Sequence, residues 1–219
     1  MRDRMQRPLW IVSYPEPEPY QRLWDLQKRL WTQRVAGTLP DLLLLLEHRP
    51  VVTLGKNARR QNLLLSEKLY RDRGIEVFDV DRGGDVTFHG PGQLIGYWIF
   101  DLKELYQDVH RYLREIEEVL IRVLAGHGIT AGRRTGATGV WVGNEKIAAM
   151  GLHLSRWVST HGFALNLSTD LTPFSWIVPC GLSGTGVTSL EKLTRQVVSR
   201  AAVEEQAACE QVGCSGSSA

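Results

Sequence analysis

Apolar and polar positions along the chain follow two periods, and their alternation sets out the elements. Residues 9–14, Leu-Trp-Ile-Val-Ser-Tyr, read as a strand closed by the series Pro15, Pro17 and Pro19. From residue 20 to about 36, Leu23, Leu26, Leu30 and Trp31 recur at helical spacing, and Gly37 supplies a stop. Residues 42–47 predict a strand buried on both faces and residues 51–54 another, with His48-Arg-Pro50 forcing extended or turn geometry between them. Ser66 is placed to cap a short helix reaching Arg73, with Gly74 just past its end. Ile75, Val77 and Asp79 then share one parity of a further strand, and residues 94–102 form another apolar run.

In the second half, Val109, Tyr112, Ile116, Val119 and Val123 mark one face of a helix over residues 105–125, closed by Gly126 and Gly128. Residues 132–139, GRRTGATG, predict a mobile segment without regular structure. Residues 140–142 and 146–150 flank Gly143-Asn-Glu145, a hairpin signal, and residues 158–167 add more strand. Residues 173–186 read as a loop with glycine at 181, 184 and 186. Thr188-x-x-Glu191 has the capping-box pattern, opening a last helix with Leu193, Val197 and Ala201 on one side that weakens beyond Gln206. The order β, α, β with close antiparallel pairs predicts an α/β (α+β) fold, a mixed sheet flanked by helices.

Composition narrows this little further. A length of 219 residues suits one domain, expected over residues 1–210, with residues 211–219 a disordered tail. An apolar fraction of 43% and a charged fraction of 23% are those of a globular protein, and a net charge of +2 gives no argument for nucleic acid. The longest pure apolar run has the length of a buried strand, no signal peptide is visible, and three cysteines fit a reducing compartment. The expectation is a cytoplasmic protein that binds neither membrane nor nucleic acid.

Candidate chemistry gathers in residues 81–93, where glycine and proline interleave with Arg82, Asp85, Thr87, His89 and Gln93. Such a stretch lets backbone N–H groups approach a ligand closely; an ordinary glycine-rich turn is the bland alternative. A serine elbow fails, because Gly181-Leu-Ser183-Gly-Thr185 lacks its last glycine, and no run of metal ligands or Walker lysine occurs. Cys180, in Val-Pro-Cys-Gly-Leu, has a fixed approach and a bare following N–H, as a nucleophile needs, or is a buried inert thiol. Lys146 is a solvated strand-edge residue or its partner, His89 is the rival base, and His161 is expected to do structural work in a hairpin or, as the lesser alternative, to contact substrate.

Four collinear stretches resemble one family: EHRPVVTLG at 47–55, RGGDVTFHGPGQLIGY at 82–97, EKIAAMGLHLSRWVSTHGFALNL at 145–167, and FSWIVPCG at 174–181. These are similar to the lipoyl(octanoyl) transferases, acyltransferases sharing the catalytic fold of lipoate and biotin protein ligases. The resemblance implies a single catalytic domain and octanoyl transfer from acyl carrier protein to a lysine of lipoyl domains, in E2 subunits of 2-oxoacid dehydrogenases or the glycine-cleavage H protein. It further implies a Cys180 acyl-enzyme assisted by Lys146, and no metal or cofactor. The family's binding segments fall on Arg82, Gly83, Gly84, Asp85, Val86, Thr87, Phe88 and His89, on Ala149, Met150 and Gly151, and on Gly162, Phe163 and Ala164. Phe88 stands where the family more often has tyrosine. A monomer is expected, with Lys56, Arg59, Arg60, Arg133 and Arg134 as a basic rim for the acidic carrier. The alternatives are an ATP-dependent lipoate–protein ligase and a non-catalytic acyl or lipoyl-domain binding module.

Overall fold

The computed structural model describes residues 8–178 and 185–212. Two sheets carry it. The larger has eight strands in the order β1 (Leu9–Ser13), β2 (Asp41–Leu46), β6 (Gln93–Ile99), β10 (Val158–Asn166), β9 (Glu145–Ser155), β8 (Ala137–Val142) and β7 (Gly132–Arg134), with β11 (Gly186–Val187) alongside β9. β1 runs parallel to β2 and β11 to β9, and the other pairings are antiparallel, so the sheet is mixed. The smaller sheet has three strands, β4 (Glu76–Asp79), β3 (Val51–Leu54) and β5 (Val86–His89).

Helices cover both faces of the larger sheet. On one side α3 (Val109–Gly126) and α5 (Arg200–Val212) bury Ile116, Leu120, Val123 and Val203 against Leu43, Leu45, Leu94, Trp98 and Leu165. On the other α1 (Tyr20–Val35) packs Leu23, Leu26 and Leu30 against Leu42, Leu44, Ile95 and Ile99. Every residue of β2 is buried, which is why its five leucines show no alternation. Where α1 meets the end of β2, Arg34 is nearly fully buried and its Nε donates to Asp41 at 2.9 Å. Among the described residues no helix is long and apolar enough to cross a membrane.

Several elements depart from the sequence expectations. The helix predicted from residue 105 begins at Val109, because Asp108 takes the cap and accepts from Arg111 N at 3.0 Å, while residues 102–106 turn on Leu102 O. Residues 132–139 are not irregular: β7 and β8 form a hairpin about Gly136, whose φ of 75° suits glycine. The last helix is two. Ser189 rather than Thr188 caps α4 (Leu190–Thr194), Arg195 ends it in the left-handed region, and α5 follows. Val197, expected on the buried side, lies between the two helices and is 94% exposed. The short helix α2 (Glu67–Asp72) is capped by Ser66 as predicted.

Candidate active site

The open side of the larger sheet owes its shape to small residues in register. Gly162 of β10 lies between Tyr97 of β6 and Gly151 of β9, and one rung along Ala164 lies between Ile95 and Ala149. On β9 and β10 these rungs carry no large side chain, and that leaves a trough. The turn after β4 closes over it: Gly83 N donates to Leu152 O at 2.8 Å, and a Cβ on Gly151 would stand 2.7 Å from Gly83 O. Gly55 allows the same approach from the small sheet, since a Cβ there would fall 2.4 Å from Gly84 O. Glycine is needed at these positions because backbone passes backbone.

Arg82 fastens the turn from within. Its guanidinium is nearly buried and donates to Thr53 O at 2.7 Å, to Thr53 Oγ1 at 2.8 Å and to Gly83 O at 3.0 Å. Asp85 accepts from Val86 N at 2.7 Å and from Asn62 Nδ2 at 2.6 Å, fixing the start of β5. Between the two sheets lies a cavity of roughly 450 Å³, the size of small-ligand pockets. Arg82, Gly83, Gly84, Asp85, Val86, Thr87, His89, Lys146, Ala149, Met150, Gly151, Gly162, Phe163 and Ala164 all line it. Phe88 does not; its ring packs edge-on to Phe174 at 5.7 Å inside the small sheet's own core. Cys180 lies outside the described residues.

Lys146 stands where the ladder slips. Val140 pairs with Ala148 but Trp141 with Lys146, a bulge that re-aims the lysine. Its side chain crosses Gly139, where a Cβ would sit 3.2 Å from the lysine Cε, and its ammonium lies 4.8 Å from the centre of the Trp141 ring. Gly139 is pinned in turn by fully buried Glu117, which accepts from Gly139 N at 3.0 Å and pairs with Arg114 and Arg133.

One end of the cavity is walled by Tyr20, His89, Tyr97 and His161, with His48 fully buried among their rings. Tyr20, His48, His89, Tyr97 and His161 are neighbours, with His48 5.0 Å from Tyr20, 6.0 Å from His89 and 5.7 Å from Tyr97. Gln93 Nε2 donates to Asn166 Oδ1 and Phe88 O, so its Oε1 faces His89 Nδ1 at 2.8 Å and places the proton on that nitrogen. Burial, with help from His48 and Arg82, pushes His89 down to about 3, and burial pushes His48 down to about 4. Both are neutral at pH 7, and a base so weak is poorly matched to proton transfer there. Asp81 joins three elements: it accepts from His161 Nε2 at 2.9 Å and Trp24 Nε1 at 3.1 Å and lies 3.7 Å from His153. The His161 bond holds its carboxyl well below the usual range. His161, expected to serve a hairpin, thus lines the cavity. Tyr20 and Tyr97 went unnoticed in the sequence, although Tyr97 shares its strand parity with Gln93 and Ile95.

Of the supposed basic rim, Arg60 is turned to Glu67 and Asp79, and Arg133 to Glu117 and Glu118. Arg134 lies over the Trp141 ring at 5.1 Å.

A mixed sheet with helices on both faces, a second small sheet and a glycine-floored trough between them make up the fold of the lipoate protein ligases. Its counterparts include lipoate-protein ligase A bound with ATP, at a TM-score of 0.71 and 15% identity over 94% of this chain and 85% of that one. A putative lipoate protein ligase from T. acidophilum with bound lipoic acid superposes at 0.70 and 16%, over 95% and 85%. Residues 19–211 match the lipoyl protein ligase A/B catalytic domain. Octanoyltransferases are much nearer in sequence: that of Rubrobacter xylanophilus is 51% identical over 90% of this chain and 89% of its own, and that of Solibacter usitatus 49% over 89% and 83%. The chain belongs to the octanoyltransferase family and is an acyltransferase of octanoyl groups.

Proposed function

We propose that the protein moves an octanoyl group from acyl carrier protein to a lysine of a lipoyl domain through a thioester on Cys180. The Cys180 thiolate attacks the donor carbonyl, a carbon–sulfur bond forms, and the bond to the carrier's pantetheine sulfur breaks. That sulfur leaves with the proton given up by Cys180. The acceptor amine then attacks, an amide forms, the bond to Cys180 breaks, and the amine's proton returns to its sulfur. Neither step needs ATP or a redox partner. Lys146 is the group that would carry these protons and hold positive charge near the thiolate.

The observation that carries this reading is the trough itself. It is floored by Ala149, Gly151, Gly162 and Ala164, roofed by the turn 82–84, and bordered by Lys146. A channel without bulk on its floor suits an extended alkyl chain. Burying about six methylenes at ~0.8 kcal/mol each contributes roughly 5 kcal/mol. That alone gives a dissociation constant weaker than about 0.1 mM, so contacts with the carrier protein add to it. Lipoyl domains as acceptors agree with the kinship to lipoate ligases, one of which, from Thermoplasma acidophilum, was solved as a system with its E2 lipoyl domain.

Intact-protein mass after mixing with octanoyl-acyl carrier protein, without ATP, tests the route. Wild type should gain one hydroxylamine-labile octanoyl group and lose it when lipoyl domain is added. Cys180→Ser should lose the labile adduct. No adduct on wild type, with transfer only when ATP and octanoate are supplied, would establish a ligase instead.

A further inference from the structure

His161 breaks the alternation of its strand. Across the β9–β10 ladder its partner is Leu152, and partners share a face of a sheet. Leu152 packs with the cluster beneath α3, so regular pleating would turn His161 the same way. Its ring instead lies on the open face. It meets Tyr97 edge-on at 6.1 Å and gives its Nε2 to Asp81 at 2.9 Å. The backbone supplies the reason: φ of His161 is +60°, a region that non-glycine residues rarely enter. Gln27 of α1 holds the position by accepting from His161 N at 2.8 Å, and Trp24 of α1 shares Asp81.

The ring lines the cavity beside the rung Tyr97–Gly162–Gly151. Lys146 lies on the same strand five positions before Gly151, about 16 Å away along extended chain. Between them the cavity is lined by Ile147, Ala149 and Met150, and His161, Tyr97 and Tyr20, nearly fully buried, line it as well.

We propose that His161 is the specificity-determining end stop of the acyl channel, its left-handed backbone placing an imidazole where the alkyl chain must finish, with Asp81 as its positioning residue. This rests on the acyl-transfer reading above. The wall limits chain length: added methylenes press against a ring that Asp81, Tyr97 and α1 hold in place, in a packed interior that yields little.

The test compares wild type with His161→Gly and His161→Asn. Glycine adopts positive φ without strain and asparagine tolerates it, so neither change asks the backbone to move. The first readout is kcat/KM for octanoyl-, decanoyl- and dodecanoyl-acyl carrier protein. Removing the stop should raise the dodecanoyl-to-octanoyl ratio at least about tenfold in His161→Gly, since pockets discriminate roughly 10–200-fold per methylene, and less in His161→Asn. Each variant's own octanoyl rate is the reference for its ratio. The second readout, equilibrium binding of octanoate and dodecanoate, needs no turnover. If wild type transferred nothing from carrier protein, the transfer reading would fail while the binding ratio still judged the stop. A chain-length ratio unchanged in both assays, with or without a loss of thermal stability, would overturn the proposal and leave His161 a structural residue.

Discussion

The two faces of strands β9 and β10 meet different partners, and the contrast separates stability from function. Toward α3, Ala148, Met150, Leu152 and Leu154 of β9 with Phe163 and Leu165 of β10 join Trp98, Tyr112, Ile116 and Leu120 in one continuous cluster. Toward the small sheet the same strands present Ala149, Gly151, Gly162 and Ala164, which line the cavity together with Met150, Leu152 and Phe163 from the edge of that cluster. A well-packed domain leaves few voids larger than a water molecule, so a trough maintained by four small residues in two rungs is a built feature. Packing chemistry differs as well. The α3 face buries two polar side chains, Ser159, bonded to Trp98 O and Tyr112, and Glu117, bonded to Gly139 N and paired with Arg114 and Arg133, whereas the open face buries His48, His89, His161 and Arg82. One side of the sheet supplies free energy of folding; the other spends shape on a ligand.

Substitutions on the two faces should therefore fail in different ways. The largest effect belongs to Lys146→Ala, which lies at the rim of the trough and outside both cores. We expect transfer to fall about 10²–10⁴-fold, with thermal unfolding unchanged. Steady-state rates beside differential scanning calorimetry check this, and a variant retaining more than a tenth of wild-type rate would remove Lys146 from the mechanism. Leu120→Ala, fully buried on the packed face, should cost about 2–5 kcal/mol of stability yet leave chain-length preference and KM as they are. Gly162→Ala should do both kinds of harm at smaller scale. Its methyl would stand 2.0 Å from Gly96 O, a backbone atom that has little room to move. Overpacking of this kind costs roughly 1–3 kcal/mol, and the midpoint should drop by a few degrees per kcal/mol. Fatty-acid binding should weaken at the same time, because relieving the clash shifts β10 where Gly162 lines the cavity. Unaltered binding in Gly162→Ala would show that the floor is not where the chain lies.

Much of the packed face was legible along the chain. The helical spacing of Tyr112, Ile116, Val119 and Val123, and the unbroken leucines of β2, state burial directly, because periodicity reports which faces are covered. The glycine-rich turn was legible for the same local reason: RGGD between two strand patterns has few uses other than close approach. The other components of the site come from register, which is not a local property. That Gly151 meets Gly162, and Gly162 meets Tyr97, depends on hairpin turns such as Arg156-Trp157, both at positive φ without being glycine. The end of the chain failed differently. Thr188-x-x-Glu191 fits a capping box, but Ser189 one residue on makes the bond to Lys192 N at 3.3 Å, and Arg195 stops the helix where the pattern ran on to Val197. The stripe through Leu193, Val197 and Ala201 assumed one unbroken helix, whereas after the break α5 buries Val203 and Ala207 and leaves Ala201 exposed. Tyr20 likewise reads as the first residue of a helix, and nothing nearby in sequence marks it as part of a wall.

The smallest expected effect sharpens the contrast through pH. His48 and His89 are buried neutral with values near 4 and 3, and His161 is also lowered; all three sit on the open face. An unfolded histidine titrates near 6.5, so below that the unfolded chain binds protons that the folded chain refuses. Stability therefore rises with pH across the window from about 4 to 6.5 and falls on acidification. Asp81 works in the opposite window: its depressed carboxyl contributes stability above about 3.8, lost only as pH falls further, so it leaves this range untouched. Going from pH 7 to 5.5 should cost about 1 kcal/mol for each of His48 and His89. The loss should first appear as faster amide exchange in β5, β6 and β10 near the trough, with α3 protected until global unfolding. His89→Asn should flatten the stability slope in this interval while leaving the packed face as slow to exchange as before. A slope that stayed the same in that variant would locate the acid sensitivity elsewhere and show that the open face is not the weaker side of the sheet.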